Sequence, residues 1–220
     1  MHILSVILML NFNSIMPQTP VRYVALGDSY TIGTGATETQ TWPTVLCKHL
    51  KESGIPIQLI ANPAHNGWTT ADVIEKELPV LDQSKATFVS LLIGVNDWVR
   101  GVEISTFKYN LIVILDHIQK VLPDKQNIVL ITIPDCGVTP TGAQYSNGRN
   151  ISQGIQSFNE IIRAEARNRG LPIAELFEVS KEMGKNADLI APDGLHPSAK
   201  GYASWEQQIY PVVYKVLKTK

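Results

Sequence analysis

Four short segments hold the residues whose types and spacing could act together: Gly27-Asp28-Ser29-Tyr30, Asn62-Pro63-Ala64-His65-Asn66-Gly67-Trp68, Gly94-Val95-Asn96-Asp97 and Asp193-Gly194-Leu195-His196-Pro197. Acyl transfer through serine needs a placed hydroxyl, a base beside it, a group that orients the base, and donors for the oxyanion. Ser29, in a tight turn that the small Gly27 permits, is the nucleophile candidate. Asp193 and His196 stand three apart, so one turn can bring carboxylate to imidazole. The carboxylate would fix the tautomer and stabilise the imidazolium formed when His196 takes the serine proton. Gly67 lies just before a predicted helix start, where backbone N–H groups are unpaired. Asn96 carries an amide that donates without titrating. With the Ser29 N–H, Gly67 and Asn96 form a three-donor oxyanion hole.

Such residues need a scaffold that brings distant segments to one place. Apolar runs at Tyr23 to Leu26, Ile57 to Ala61, Phe88 to Ile93, Ile128 to Ile133 and Ile173 to Phe177 are continuous rather than alternating. That pattern predicts strands covered on both faces, as in a parallel sheet. Helical stripes lie between them: Ile104, Phe107, Leu111, Leu115, Ile118 and Leu122 in one, Ile151, Ile155, Phe158 and Ile162 in another. Asn150 with Gln153 and Thr69 with Asp72 have capping-box spacing. Thr41-Trp42-Pro43 opens a helix that Gly54 ends, and Gly170 stops another. The last helix should run from about Ser198, with Pro211 kinking or breaking it. The alternation predicts an α/β fold, a three-layer α/β/α sandwich around a mainly five-stranded parallel sheet. Ligands bind such sheets beyond the carboxyl ends of the strands, which is where the first three segments fall.

In order and form, the four segments resemble the blocks of the SGNH hydrolases, also called GDSL esterases and lipases. Gly27-Asp28-Ser29 matches the G-D-S block, with Tyr30 where leucine is common. Gly67 fits the glycine of the second block, Gly94, Asn96 and Asp97 the G-x-N-D of the third, and Asp193 and His196 the D-x-x-H of the last. The resemblance covers the chain from about Val21 to the end. Gly94 to Gly101 and Ile133 to Pro140 look like the corresponding segments of small bacterial members. The resemblance implies a flavodoxin-like sandwich and a serine esterase with triad Ser29, Asp193 and His196, a Ser29/Gly67/Asn96 oxyanion hole, and no metal or cofactor. It leaves the substrate open among lysophospholipid, thioester, aryl ester and acetylated sugar, since that choice lives in pocket loops.

Composition narrows the partners. Nineteen Lys+Arg against 20 Asp+Glu leave a net charge of −1, so no basic excess exists to bind nucleic acid. The predicted partner is a small-molecule ester, and the sequence assigns no oligomeric state. Cys47 and Cys136 match no zinc or disulfide-scaffold spacing. Residues 1–20 read as an N-terminal extension or weak signal-like segment, and residues 21–220 as a single domain. The apolar run Ile3 to Leu10 is too short to span a membrane. No Lys or Arg precedes it, and no small-x-small site follows before Pro17, so cytoplasmic and exported locations both stay open.

Other residues receive structural expectations. Asp28 and Asp97 should cap backbone N–H groups beside their turns. His65 should be a loop or pocket-wall residue, because only Asp72 is near it in sequence. Cys136 should approach the site's rim without a base of its own. Trp68 and Trp98 fit either a pocket wall or the core. The connection from Pro134 to Arg149 should be a long unstructured loop at the pocket rim. Two competing functions remain in view. One is a flavodoxin-like module cradling phosphate on the turn Gly27 to Gly35, which leaves Asn96, Asp193 and His196 without work. The other is a metal-dependent phosphoesterase using Asp28, Asn96 and His196, which lacks further clustered ligands.

Overall fold

The computed structural model describes residues 19–218. Expectations for the first 18 residues lie outside that range. Five parallel strands form one sheet in the order β2-β1-β3-β4-β5: β1 (Val21–Gly27), β2 (Ile57–Ala61), β3 (Phe88–Leu92), β4 (Ile128–Ile131) and β5 (Ile173–Ala174). β3 and β4 are buried at every residue, which explains their unbroken apolar runs. Helix α1 (Ser29–Ile32) is a single turn leaving β1, and α2 (Trp42–Glu52) follows it. Helical winding from residue 70 to 84 comes in three pieces: α3 (Thr70–Asp72), a π-wound turn (Val73–Glu77) and α4 (Leu78–Ser84). The remaining helices are α5 (Val95–Val99), α6 (Ile104–Val121), α7 (Ile151–Arg169), α8 (Phe177–Ser180) and α9 (Ala199–Lys218).

Helices cover both faces of the sheet. α2 packs on α9, while α4, α6 and α7 form the other group. The α6 stripe buries Phe107, Leu111, Ile114, Leu115 and Ile118, and the α7 stripe buries Ile155, Phe158 and Ile162. Among the described residues no helix is long and apolar enough to cross a membrane. The order places β1 beside β3 at the sheet's switch point, where successive connections leave in opposite directions and a crevice opens. Ser29 and Asn96 follow these two strands.

Several elements depart from expectation for identifiable reasons. β5 stops at Ala174, not Phe177, because the Thr132 hydroxyl oxygen accepts the Leu176 N–H at 2.8 Å in place of a strand neighbour. Phe177 then opens α8. α9 continues through Pro211, whose missing N–H costs about 3 kcal/mol in a helix interior. A buried stripe of Tyr202, Trp205, Ile209, Val213 and Leu217 offsets that cost. Residues 134–149 are not unstructured, since they contain two short 3₁₀ turns, Cys136–Val138 and Gly142–Ser146.

Candidate active site

The candidate site at the carboxyl ends of β1 and β3 begins with the turn after β1. Asp28 caps α1 by accepting the Tyr30 N–H at 3.0 Å, and the buried Ser29 is the first helical residue. Gly27 is obligatory there, because a Cβ would come within 2.3 Å of both Leu92 O and Thr31 Oγ1. The turn is tied down from several sides. Trp42 Nε1 donates to Tyr30 O, Asn62 Nδ2 to Thr31 O, and the Tyr202 hydroxyl to Thr34 O.

The last polar segment forms an open turn rather than a helix. Asp193 Oδ1 accepts the N–H groups of Leu195 and His196, and Asp193 Oδ2 meets His196 Nδ1 at 2.6 Å. Burial pulls the Asp193 carboxyl up, but the bonds from the His196 ring and the two N–H groups hold it below its ordinary range. Thr141 Oγ1 donates to Asp193 O, which ties this turn to the 134–149 connection. The His196 ring stands edge-on to Tyr30, with centroids 5.7 Å apart.

A cavity of about 270 Å³ brings these pieces together. Its polar wall is Ser29, Asn66, Gly67, Asn96 and His196; its apolar wall includes Val95, Val99, Tyr145 and Leu195. Of the expected triad and oxyanion residues, Ser29, Gly67, Asn96 and His196 line it, and the exposed Asp193 stands outside it, against the His196 ring. No hydrogen bond joins Ser29 to His196 among the described residues; they meet as walls of one space. A larger groove of about 640 Å³ lies at the start of β5 between Gly170–Ile173 and Pro211–Val216, at the other end of the sheet. None of the four segments reaches it.

Gly67 is not at a helix start. α3 begins three residues later, capped by Thr69, whose partner Asp72 accepts from both the Thr69 N–H and hydroxyl. Gly67 instead sits in a turn at φ 79°, a conformation open to glycine, with its carbonyl accepting from Arg100 at 2.6 Å. Asn96 Nδ2 donates to Trp68 O at 2.9 Å and makes a looser 3.5 Å contact with Asp28 Oδ2. One amide N–H is therefore committed, and the other is weakly held.

The neighbouring acids are structural, as their positions implied. Asp97 accepts from the Thr70 N–H and hydroxyl. Burial pushes the Asp28 carboxyl up to about 8, against the Tyr30 N–H and with help from Asp97. That acid also takes the Tyr30 N–H that a phosphate cradle would need. His65 is exposed, stacked on Trp68, with Nδ1 near Asn66 O. Asp72 is committed to Thr69 and Lys76, so among the described residues no carboxylate orients His65. Cys136 does reach the cavity wall, with burial pushing its thiol up to about 12. Trp98 belongs to the core and Trp68 stacks outside, so neither lines the cavity.

The GDSL-like lipase/acylhydrolase family model matches residues 25–204. The chain belongs to this family. Esterase TesA of Pseudomonas aeruginosa is 22% identical over 195 residues, covering 88% of each protein. A multidomain esterase of Ruminococcus flavefaciens is 30% identical over 125 residues, which are 55% of this chain and 15% of that protein. Among solved structures, the lipase/acylhydrolase from Enterococcus faecalis aligns with a TM-score of 0.74 at 22% identity, covering 91% of this chain and 98% of that one. A family 3 carbohydrate esterase of Clostridium thermocellum aligns at 0.73 and 20%, covering 91% and 98%. These likenesses share the fold. Family membership makes this protein an ester-hydrolysing enzyme.

Sequence reading missed most of the apolar wall and two supporting groups. Val95, Val99 and Leu195 offer no chemistry to mark them in advance, whereas Tyr145 lies in the 134–149 connection expected at the pocket rim. Arg100, four residues after Asn96, could have been noticed as the next residue on the same face of α5. Glu77 carried a readable signal, an acid four residues from Val73 and Leu81 on an otherwise apolar stripe.

Proposed function

We propose that the enzyme is a serine esterase that forms an acyl-enzyme on Ser29, with His196 as base and Asp193 as its orienter. The observation that carries this reading is the 2.6 Å Asp193–His196 pair opening onto the cavity that Ser29, Gly67 and Asn96 also line. Asp193 on Nδ1 leaves His196 Nε2 to take the serine proton as Ser29 Oγ attacks the ester carbonyl. The tetrahedral oxyanion is received by the N–H groups of Ser29 and Gly67 and by the second amide N–H of Asn96. His196 then returns the proton to the leaving alcohol, and water cleaves the acyl-enzyme by the same steps in reverse. A neutral Asp28 beside this site puts no full negative charge against the developing oxyanion.

The cavity supports short acyl groups. At about 270 Å³ it falls below the ~300–1,000 Å³ usual for small-molecule pockets, and the side chains of Val95, Val99 and Tyr145 bound it. Residues 21–220 act as one catalytic unit in this reading. The test is fluorophosphonate labelling located by mass spectrometry, combined with turnover of p-nitrophenyl esters of increasing acyl length. Labelling at Ser29 with kcat/KM highest for the shortest chains is the expected result. Labelling elsewhere, or a preference for long chains, counts against the corresponding part.

A further inference from the structure

Behind the turn that carries Ser29 lies an acid that the reaction does not consume. Glu77 is fully buried and ends the π-wound turn Val73–Glu77. Its Oε2 accepts the Gly27 N–H at 2.9 Å, and its Oε1 has no hydrogen-bond partner among the described residues. Topology explains why the Gly27 N–H needs this acceptor. Pairing of β1 with β2 ends at Val24 and Ala61, whereas pairing with β3 runs on to Gly27 and Leu92. The end of β1 thus outruns its neighbour on one side, and a buried N–H left there without a partner is costly. Glu77 supplies the acceptor that a longer β2 would have supplied.

The position is sensitive for two reasons. Gly27 is clamped between Leu92 O and Thr31, so the turn has little room to adjust. Only Asp28 separates it from Ser29, so the peptide planes fixed at Gly27 lead directly into the Ser29 hydroxyl and N–H. The π-wound turn inserts an extra residue into the helix, a device frequent at functional sites. Burial, with Asp28 and Asp72 nearby, pushes the Glu77 carboxyl up to about 9 against the Gly27 N–H. A buried, charged carboxylate with an unpaired oxygen would be costly, so geometry and titration agree on a neutral acid.

We propose that Glu77 is a positioning residue for the nucleophile: it holds the end of β1 through the Gly27 N–H and so sets the direction of the Ser29 hydroxyl and N–H. This rests on Ser29 being the nucleophile. Asp28 and Asp72 are the acids whose charges reach Glu77. Glu75 and Lys76 on its own turn are exposed. β1 contributes Arg22 and Tyr23, the latter bonded to Ser90; α4 and α6 carry Asp82 and His117 as a surface pair.

The test compares wild type, Glu77→Gln and Glu77→Leu for melting temperature, fluorophosphonate labelling rate, and kcat and KM on p-nitrophenyl acetate, corrected for spontaneous hydrolysis. Gln keeps an acceptor of the same size, and Leu removes it. Glu77→Leu should lose about tenfold or more in kcat and labelling rate with KM nearly unchanged, whereas Glu77→Gln stays within about threefold of wild type at neutral pH. The ratio of wild-type to Gln kcat should then fall as pH passes about 9, because only wild type gains a charge under the turn. Titration of Asp28 and Asp97 is shared by both proteins and cancels in that ratio. A folded Glu77→Leu enzyme with wild-type kcat overturns the proposal. A flat ratio through that pH range overturns it too, and that measurement stands even where Glu77→Leu does not fold. Wild type that fails to label at Ser29 refutes the nucleophile assignment instead; labelled wild type with indifferent Glu77 variants refutes only the positioning role.

Discussion

A serine hydroxyl is a weak nucleophile until a base sits beside it, so the assignment of Ser29 stands or falls with His196. Ser29→Ala should fold normally, lose all covalent labelling, and drop kcat by about 10⁴-fold or more. His196→Ala should be about as damaging, because members of a triad act as a unit and their losses do not add. If His65→Ala were dead and His196→Ala active, the base role would move to His65. Asn96 is more finely balanced, since one of its N–H groups ties down Trp68 O. As an oxyanion donor it is worth about 10²–10³ in kcat with little change in KM. Asn96→Ala should therefore label slowly at Ser29, and Asn96→Asp should be worse, because a carboxylate repels the oxyanion. As a loop tie alone, its loss would lower melting temperature and spare kcat; measuring both separates the roles. These proposed catalytic residues were legible because such chemistry needs particular residue types at particular spacings. Val95, Val99 and Leu195 were not, because any apolar side chain of suitable shape can wall a pocket.

At the scale of elements, α5 carries Asn96 and is capped, four residues on, by Arg100, whose guanidinium holds Gly67 O. One short helix thereby sets two donors of the proposed oxyanion hole, one through its own amide and one by fixing a neighbouring turn. Arg100→Ala should lower kcat by roughly 5- to 30-fold with KM little changed, since a charge-assisted bond on an exposed group is worth about 1–2 kcal/mol. A loss confined to KM would mean that Arg100 contacts substrate and does not brace Gly67. The five strands and the long helices were legible from apolar runs and stripes, with ends marked by Asn150, Gly170 and Thr69. Tertiary contacts decided the rest. Thr132, just past the end of the neighbouring β4, shortened β5, and core burial carried α9 past Pro211. The π-wound turn follows from no local propensity; it appears where the end of β1 needs the Glu77 acceptor.

Across the whole molecule, three acids gathered near the turn that carries Ser29 make stability depend on pH in an unusual direction. Burial raises Glu77 to about 9 and Asp28 to about 8, and it raises Asp97 as well. In the unfolded chain these groups ionise near about 4, so between that pH and their folded values only the unfolded state gives up their protons. Their neutral forms favour the folded state fully below about pH 4, and that advantage is lost progressively as pH rises through 8 and 9. Opposing groups act elsewhere on the scale. Asp193 is held low by its hydrogen bonds to His196 and Leu195, and Asp72 is lowered to about 2 by Lys76 and Thr69 despite its burial. They favour folding above about pH 4 and lose that effect only as pH falls below it. The two sets leave a maximum on the acid side of neutrality. Thermal unfolding should thus show a melting temperature several degrees higher near pH 5.5 than near pH 8.5. Glu77→Gln should flatten this slope, because an amide has no proton to release. A wild-type protein that melts higher at pH 8.5 than at pH 5.5 would show that these acids are charged and compensated in the fold, and that the turn beneath Ser29 is not built on neutral carboxyls.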